Sequence, residues 1–159
     1  MKASIDSVSL ILALKIQELT GLINRYFEAV YVTDAVYSEV TKNKIPWELN
    51  KLEKLFETGL FEIKNPKKPL AVNLGKGELS AISLALEQKS VFISEDRKAI
   101  LFADSIGVKY ASVLSLLIKA RQNNFLTANQ AKDILFKLVE NGLYMSSELF
   151  ASVLKRIEK

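Results

Sequence analysis

Short apolar runs alternate with longer amphipathic segments along almost the whole of this 159-residue chain. The short runs are rich in β-branched or aromatic residues, as in "EAVYVT" over 28–33, and they predict strands. The longer segments carry apolar residues at helical spacing and predict helices. Strands that alternate with helices form a mainly parallel sheet covered by helices. The predicted fold is therefore α/β, with a central, mainly parallel five-stranded sheet flanked by helices.

The periodicity also gives approximate boundaries for each element. Predicted strands cover residues 3–6, 28–33, 60–65, 90–94 and 108–111. Predicted helices cover residues 8–19, 35–42, 46–59, 77–88, 96–106, 112–122, 128–140 and 146–158. Thr33 or Asp34, Thr127 and Ser146 are expected to cap helices, and Gly59 and Gly107 to end them. No linker divides the chain, so we expect one domain over 1–159, with the helices of 128–158 packed on it.

The composition excludes several kinds of active site. The chain contains no cysteine and no histidine, so a thiol nucleophile, a Ser-His-Asp triad and a histidine zinc site are excluded. Carboxylates remain, and they most readily bind hard cations such as Mg²⁺ or Mn²⁺. The formal net charge of +4 is compatible with a polyanionic partner.

The amino-terminal apolar run "VSLILAL" has seven residues, with Asp6 before it and Lys15 after it. It is too short to span a bilayer and does not resemble a signal peptide. We therefore expect a cytoplasmic protein with no membrane partner.

The stretch "LGKGELSAISLALE" over 74–87 suggests a phosphate-binding loop at first sight. A P-loop would need Ser or Thr where Gly77 stands, and a dinucleotide fingerprint would need Gly in place of Ser80. Neither motif is present. The glycines therefore predict a turn that starts a helix, whose face carries Leu79, Ile82 and Leu86.

Four acidic residues lie near one predicted edge of the sheet. Asp6 follows the first strand and Asp96 the fourth, while Glu39 and Glu78 belong to helices that could flank the same edge. Taken singly, each is a helix cap, a first-turn acid or a solvated helix residue. If the first and fourth strands are neighbours, the four carboxylates share one cleft. They would then repel one another, and a divalent metal would relieve the repulsion.

These features together resemble PIN-domain nucleases, and most closely a subfamily of largely uncharacterised prokaryotic proteins related to VapC-like toxins. The resemblance rests on "SIDSVSLILAL", "VTDAVYSEV", "LGKGELSAISLALE", "FISEDRKAILFADSIGV" and the tail "NGLYMSSELFASVLKRI". It covers nearly the whole chain. It implies a PIN-like three-layer fold and a metal-dependent endoribonuclease that cleaves single-stranded RNA.

The resemblance also implies roles for single residues. Asp6, Glu39, Glu78 and Asp96 fall on the family's catalytic, metal-binding acids, and Mg²⁺ or Mn²⁺ is the implied cofactor. Glu95 is a candidate fifth ligand, because the subgroup often has two aspartates where this chain has Glu95-Asp96; we favour Asp96. Further residues are predicted to contact the substrate: Ser7, Lys76, Ser94, Arg97 and Lys98.

A toxin role would imply a small antitoxin protein as partner. A homodimer is a further expectation, based on the family and on apolar tail residues such as Leu143, Tyr144, Phe150 and Leu154. Two other readings stay open at this stage. The chain could be a PIN-fold binding or assembly module with weak or no nuclease activity. It could also be a receiver-like regulator phosphorylated on Asp6 or Asp96, although the usual cluster of aspartates after the first strand is absent.

Overall fold

The structure is a computed structural model that describes all 159 residues, in five strands and nine helices. The strands are β1 (Lys2–Ile5), β2 (Ala29–Val32), β3 (Phe61–Ile63), β4 (Val91–Ile93) and β5 (Tyr110–Ala111). The helices are α1 (Ser7–Lys15), α2 (Gln17–Tyr26), α3 (Asp34–Thr41), α4 (Pro46–Glu57), α5 (Lys76–Gln88), α6 (Arg97–Ser105), α7 (Val113–Gln122), α8 (Ala128–Glu140) and α9 (Ser147–Glu158).

All strand pairs in the sheet are parallel, and the strand order is β3-β2-β1-β4-β5. The chain first builds outward from β1 to β3, then returns across the centre to place β4 on the other side of β1. The strand order therefore reverses between β1 and β4, whose carboxyl ends lie side by side. The predicted α/β fold is confirmed, and the condition that the first and fourth strands are neighbours is met.

The two faces of the sheet pack differently, as the two-residue period of a strand requires. Ala3 and Ile5 of β1 belong to the main core, a cluster of 38 buried residues. Ser4 between them points the other way, and its hydroxyl donates to the carbonyl of Ala81 in α5 at 2.6 Å. On this face Tyr31 of β2 joins a small separate cluster with Leu84 of α5. Helix α5 is thus fixed against the centre of the sheet.

The predicted helix over 8–19 is wrong as a single element. The structure has α1 and α2 there, separated at Ile16, whose φ of −120° and ψ of 98° are extended. Ile16 is buried, so its side chain stays in the core while the backbone changes direction. The apolar pattern continues through the break because both helices pack on the same core, and the pattern alone could not reveal it.

Other helix boundaries agree with the predictions within one or two residues. Thr33, Thr127 and Ser146 cap their helices through their hydroxyl oxygens. Gly59 and Gly107 follow helices with φ of +79° and +77°, a left-handed conformation that favours glycine. The predicted apolar face of α5 needs one correction. Leu86 is 41% exposed, because the buried face runs through Ala81, Ile82, Leu84 and Ala85.

The last two helices pack against α7. Their buried residues belong to the main core together with those of the sheet: Ala131, Ile134, Leu135, Leu138, Val153 and Ile157. In the predicted dimer surface, Tyr144 is 90% exposed, while Leu143, Phe150 and Leu154 are partly buried against the core. No helix in the structure has the length and apolar character needed to cross a bilayer.

Candidate active site at the carboxyl edge of the sheet

The carboxyl ends of β1 and β4 bring the acidic residues together. Asp6 directly follows β1, and its backbone N–H donates to the carbonyl of Ile93, the last residue of β4, at 3.1 Å. Glu95 and Asp96 lie just beyond Ile93. In open α/β sheets, ligands bind at this kind of reversal in strand order. The edge is therefore the expected place for a site.

Asp6 is the most buried member of the group, with 1% of its surface exposed. Its Oδ1 accepts a hydrogen bond from the N–H of Ser9 at 2.8 Å and caps α1. Its Oδ2 is buried and has no hydrogen-bond partner. Burial raises the pKa of Asp6, and the charge of Asp96 raises it further, while the nearby hydroxyls of Ser94 and Ser9 lower it in part. A buried carboxylate oxygen without a partner is rare and calls for a functional reason.

Asp96 caps α6, since its Oδ1 accepts from the N–H of Ala99 at 2.7 Å. The N–H of Asp96 donates to the hydroxyl oxygen of Ser94 at 3.0 Å. The predicted substrate contact of Ser94 needs correction, because Ser94 is completely buried. Its hydroxyl instead lies between Asp6 and the backbone of Asp96, where it helps to position both acids.

Two glycines make room for two glutamates. The Oε1 of Glu39 accepts from the N–H of Gly77 at 3.0 Å, and a Cβ added to Gly77 would lie 2.9 Å from the carboxyl carbon of Glu39. A Cβ at Gly75 would similarly lie 3.2 Å from the carboxyl carbon of Glu78. The glycines of "LGKGE" therefore allow these carboxylates to rest against the start of α5. The other oxygen of Glu39 accepts from the hydroxyl of Ser7.

The pKa of Glu78 is raised, chiefly by burial and then by the charges of Glu39, Asp6 and Asp96. Four carboxylates from four parts of the chain therefore act on one another at this edge. Two of the residues that form the site were not recognised from the sequence, namely Gly75 and Gly77. Their signal was the G-x-G-E spacing, which was interpreted only as a turn.

Glu95 is directed toward α7. Its Oε1 accepts from the N–H of Val113, the first residue of that helix, at 2.5 Å. Burial, followed by the charge of Asp6, raises the pKa of Glu95 to about 8. Without a metal this side chain is therefore mostly uncharged at neutral pH, and its Oε1 is occupied by the N–H of Val113.

The donor set fits a hard divalent cation in its chemistry. It consists of carboxylate oxygens, one of them buried and unpartnered on Asp6, and burial, followed by repulsion from the neighbouring acids, raises the pKa of Glu78. As the side chains stand, however, no three acidic residues are grouped closely enough to ligate one ion. Binding would therefore require side-chain rotation. Glu78 and Asp96 can rotate because they are partly or fully exposed, whereas Asp6 is buried and Glu39 is held by the N–H of Gly77 and the hydroxyl of Ser7.

The predicted phosphate contacts lie at the same edge. Lys76 is the first residue of α5, and Arg97 and Lys98 are the first two of α6. All three side chains are exposed, and none forms an ion pair. Ser7 is partly buried and is bonded to Glu39, so in this structure it positions an acid.

Comparisons with known proteins agree with this architecture. The profile of a family described as DUF3368: PIN domain matches residues 4–159. Among solved structures, the chain is similar to a PilT N-terminus domain protein from the hyperthermophilic archaeon Sulfolobus solfataricus P2, with 23% sequence identity and a TM-score of 0.57. That similarity covers 76% of this chain and 93% of the archaeal one, and it establishes a shared fold. No curated protein matches the chain.

Proposed function

The chain belongs to the PIN-domain family, whose members are generally nucleases, and we propose that it is a divalent-metal-dependent endoribonuclease acting on single-stranded RNA. One observation carries the proposal. Asp6 is buried at the reversal point of the sheet with an unpartnered oxygen, within electrostatic reach of Asp96 and Glu78. Such an arrangement of acids is unfavourable without a cation and becomes favourable with one.

In this proposal Mg²⁺ or Mn²⁺ is held by Asp6, Glu39, Glu78 and Asp96. When bound, such an ion lowers the pKa of water and stabilises charge on a phosphoryl oxygen. The nearby backbone and side chains have supporting roles. Gly77 and Ser7 hold Glu39 by hydrogen bonds, and Ser94 holds the backbone of Asp96.

The cations around the edge would hold the substrate. Lys76, Arg97 and Lys98 extend from the first turns of α5 and α6, where N–H groups and the helix dipole also favour anions. They would bind phosphates that flank the scissile bond and offset the repulsion between RNA and the acidic group. Such phosphate contacts orient the RNA without recognising its bases.

A cleavage assay tests the proposal. Purified protein is incubated with single-stranded RNA and Mn²⁺, beside the variants Asp6→Asn and Asp96→Asn and the control Glu140→Gln, which changes an exposed acid on α8. We expect both aspartate variants to lose at least about 100-fold in rate, or ~2.7 kcal/mol of transition-state stabilisation. The control should keep its activity. Absence of Mn²⁺-dependent cleavage, or equal cleavage by all four proteins, would rule the nuclease out.

A second candidate function is a nucleic-acid-binding or assembly module without nuclease activity. It is favoured by one observation, that no three acidic side chains lie within ligating distance of a common ion. This function predicts RNA binding that is insensitive to Mn²⁺ and to Asp6→Asn. The nuclease predicts that Mn²⁺ changes both binding and the integrity of the RNA.

The resemblance to VapC-like toxins extends the proposal to a toxin–antitoxin pair, with a small antitoxin protein as partner. Induced expression of the chain in a bacterial host would then arrest growth, and expression of Asp6→Asn would not. Equal growth of both strains, at equal protein levels, would count against a toxin.

A further inference from the structure

A second concentration of charge lies away from the carboxylates. Where the carboxyl-terminal ends of α7 and α9 meet there is a cavity of about 340 Å³, which we call the basic pocket. It is lined by Arg121, Gln122, Asn124, Arg156 and Lys159. The lining includes three cations and two amides but no acid and no apolar side chain. Such a set of donors is suited to an anion.

The fold explains only part of this cluster. The Nε of Arg121 donates to the carbonyl of Ile157 at 2.9 Å, which satisfies the end of α9 and fixes the guanidinium group. Arg156 and Lys159 form no ion pair, and the nearby acid Glu158 pairs instead with Lys132 at 3.0 Å. No acidic side chain therefore neutralises Arg156 or Lys159, and only the negative ends of the α7 and α9 dipoles offset part of the charge of the basic pocket.

Helix α7 links the basic pocket to the carboxylate edge. It begins at Val113, whose N–H binds Glu95, and it ends at Gln122, which lines the pocket. Its ten residues span about 15 Å. The helix has no acidic residue, and its exposed side carries Ser115, Lys119 and Gln122 at helical spacing. This side of α7 therefore carries no negative side chain of its own, and the acid that shares its surface is Asp104 of α6, which lines the same cavity as Ser115 and Lys119.

We infer that the basic pocket binds a backbone phosphate of a single-stranded nucleic acid whose other end lies at the carboxylate edge. The identity of the ligand rests on the proposed function, while the existence of an anion site rests on the pocket itself. An anchored arginine suits this task, since its planar guanidinium can donate two parallel hydrogen bonds to one phosphate.

Because the two sites are separated, the affinity of an RNA should depend on its length. At about 3.4 Å per nucleotide of a stacked strand, the ~15 Å length of α7 corresponds to four or five nucleotides. The three phosphates that link a tetranucleotide span only two such steps, about 7 Å, so it is too short to occupy both sites. A 16-nucleotide RNA can reach the edge and the basic pocket together.

Binding measurements in EDTA test this without cleavage. Fluorescence anisotropy would give the Kd of a 4-nucleotide and a 16-nucleotide RNA for the full chain, for Arg156→Gln/Lys159→Gln and for Lys155→Gln. Lys155 is the matched control, since it is exposed on the same helix and does not line the pocket. For the longer RNA we expect the double variant to raise Kd about tenfold at 0.15 M salt, and the slope of log K against log salt to become shallower by about 0.7 per lost phosphate contact.

For the longer RNA, a change in log Kd in the double variant that is no more than twice the change in Lys155→Gln would overturn the inference, because the double variant removes two charges and the control removes one. So would an equal loss for both RNA lengths, because that result would indicate a general charge effect. In a further arm, inorganic phosphate is added at constant ionic strength. If phosphate binding requires Arg156 and Lys159 while the affinity for RNA depends on neither residue, the pocket binds a free anion, and its assignment to a nucleic acid is wrong.

The outcomes separate this inference from the proposed nuclease. If the full chain shows no Mn²⁺-dependent cleavage but its RNA binding depends on Arg156 and Lys159, the proposed nuclease is ruled out and the role of the basic pocket is supported. If cleavage requires Asp6 but RNA binding does not depend on the pocket residues, the proposed nuclease is supported and the role of the basic pocket is ruled out.

Discussion

Gly77 lies in the first turn of α5, with the carboxylate of Glu39 against its backbone. Any larger residue would occupy the space that this carboxylate fills. Glu39 is 38 positions earlier in the chain, so its orientation depends on contacts between separate elements: the N–H of Gly77 in α5 and the hydroxyl of Ser7 in α1. At the scale of the residue, the geometry of the site thus depends on the absence of a side chain at position 77.

Replacing Gly77 with alanine should separate activity from stability. The added methyl group would displace Glu39 and remove its bond from the N–H, so we expect Mn²⁺-dependent cleavage to fall about tenfold or more. The melting temperature should change little, because the displaced carboxylate is flexible and alanine favours the helix. Cleavage rates and thermal melts of the variant would check both expectations.

Gly21→Ala is the matched control. Gly21 lies within α2, and nothing stands within 4 Å of a Cβ added there. The change should stabilise the protein by up to ~1 kcal/mol and leave cleavage unaltered. Unchanged activity in Gly77→Ala would show that the position of Glu39 does not matter.

Glu95 should make the stability of the metal-free protein depend on pH. Its pKa is raised from 4.5 to about 8 in the folded chain, so the folded state holds a proton that the unfolded state has lost. The stabilisation by this proton is complete below pH 4.5 and is lost as pH rises through about 8. The slope is at most ~1.4 kcal/mol per pH unit. Urea unfolding between pH 5 and 8 should therefore show a flatter profile for Glu95→Gln, whereas identical profiles would contradict the prediction.

At the scale of the element, α5 organises the long connection that precedes it. Residues 64–75 lack regular structure, but the carboxylate of Glu87 accepts from the N–H groups of Lys67 and Lys68 at 2.9 and 2.6 Å. The hydroxyl of Ser83 accepts from the N–H of Leu70 at 2.9 Å. These contacts tie the connection to the helix that also presents Glu78 to the site.

Glu87→Gln should loosen this connection without unfolding the domain. The two backbone hydrogen bonds lower the pKa of Glu87, so its contribution is present above pH 4.5 and is lost as pH falls through its lowered pKa. We expect the amides of Lys67 and Lys68 to exchange with solvent several-fold faster in the variant. Hydrogen-exchange mass spectrometry would measure this, with Glu57→Gln, an exposed acid at the end of α4, as control. Equal exchange in both variants would remove the role assigned to Glu87.

At the scale of the whole molecule, the sheet concentrates negative charge at one edge while the chain carries a net charge of +4. The strand order brings Asp6 and Asp96 together, and α3 and α5 add Glu39 and Glu78. The folded state therefore contains a repulsion that the unfolded chain lacks. A cation that binds the folded state alone should stabilise it.

Addition of Mn²⁺ should raise the melting temperature. A concentration 100 times Kd contributes ~2.7 kcal/mol, which corresponds to about 5–10 °C for a domain of this size. Asp6→Asn should abolish the shift while remaining at least as stable without metal, because asparagine also caps helices and burial no longer opposes a charge. Differential scanning calorimetry would measure this, and an equal shift in both proteins would place the metal elsewhere.

Local sequence patterns were sufficient to predict the fold class and nearly every element. Strand and helix periods are local, and capping depends on single residues such as Thr127 and Ser146. The same local reasoning located the acids at strand ends. It failed at Ile16, where an apolar pattern ran through a break in the helix, and at Ser94, whose burial depends on the elements packed over it.

The way in which the acids meet depends on contacts between distant parts of the chain. The sequence left the proximity of Asp6 and Asp96 conditional on strand order, because pairing joins segments some 90 positions apart. It favoured Asp96 over Glu95 without giving their orientations, which depend on the first N–H groups of α6 and α7. It interpreted Gly77 as a turn residue, since the reason for the glycine is a carboxylate that reaches it from another helix. Such contacts depend on long-range packing, which no local pattern encodes.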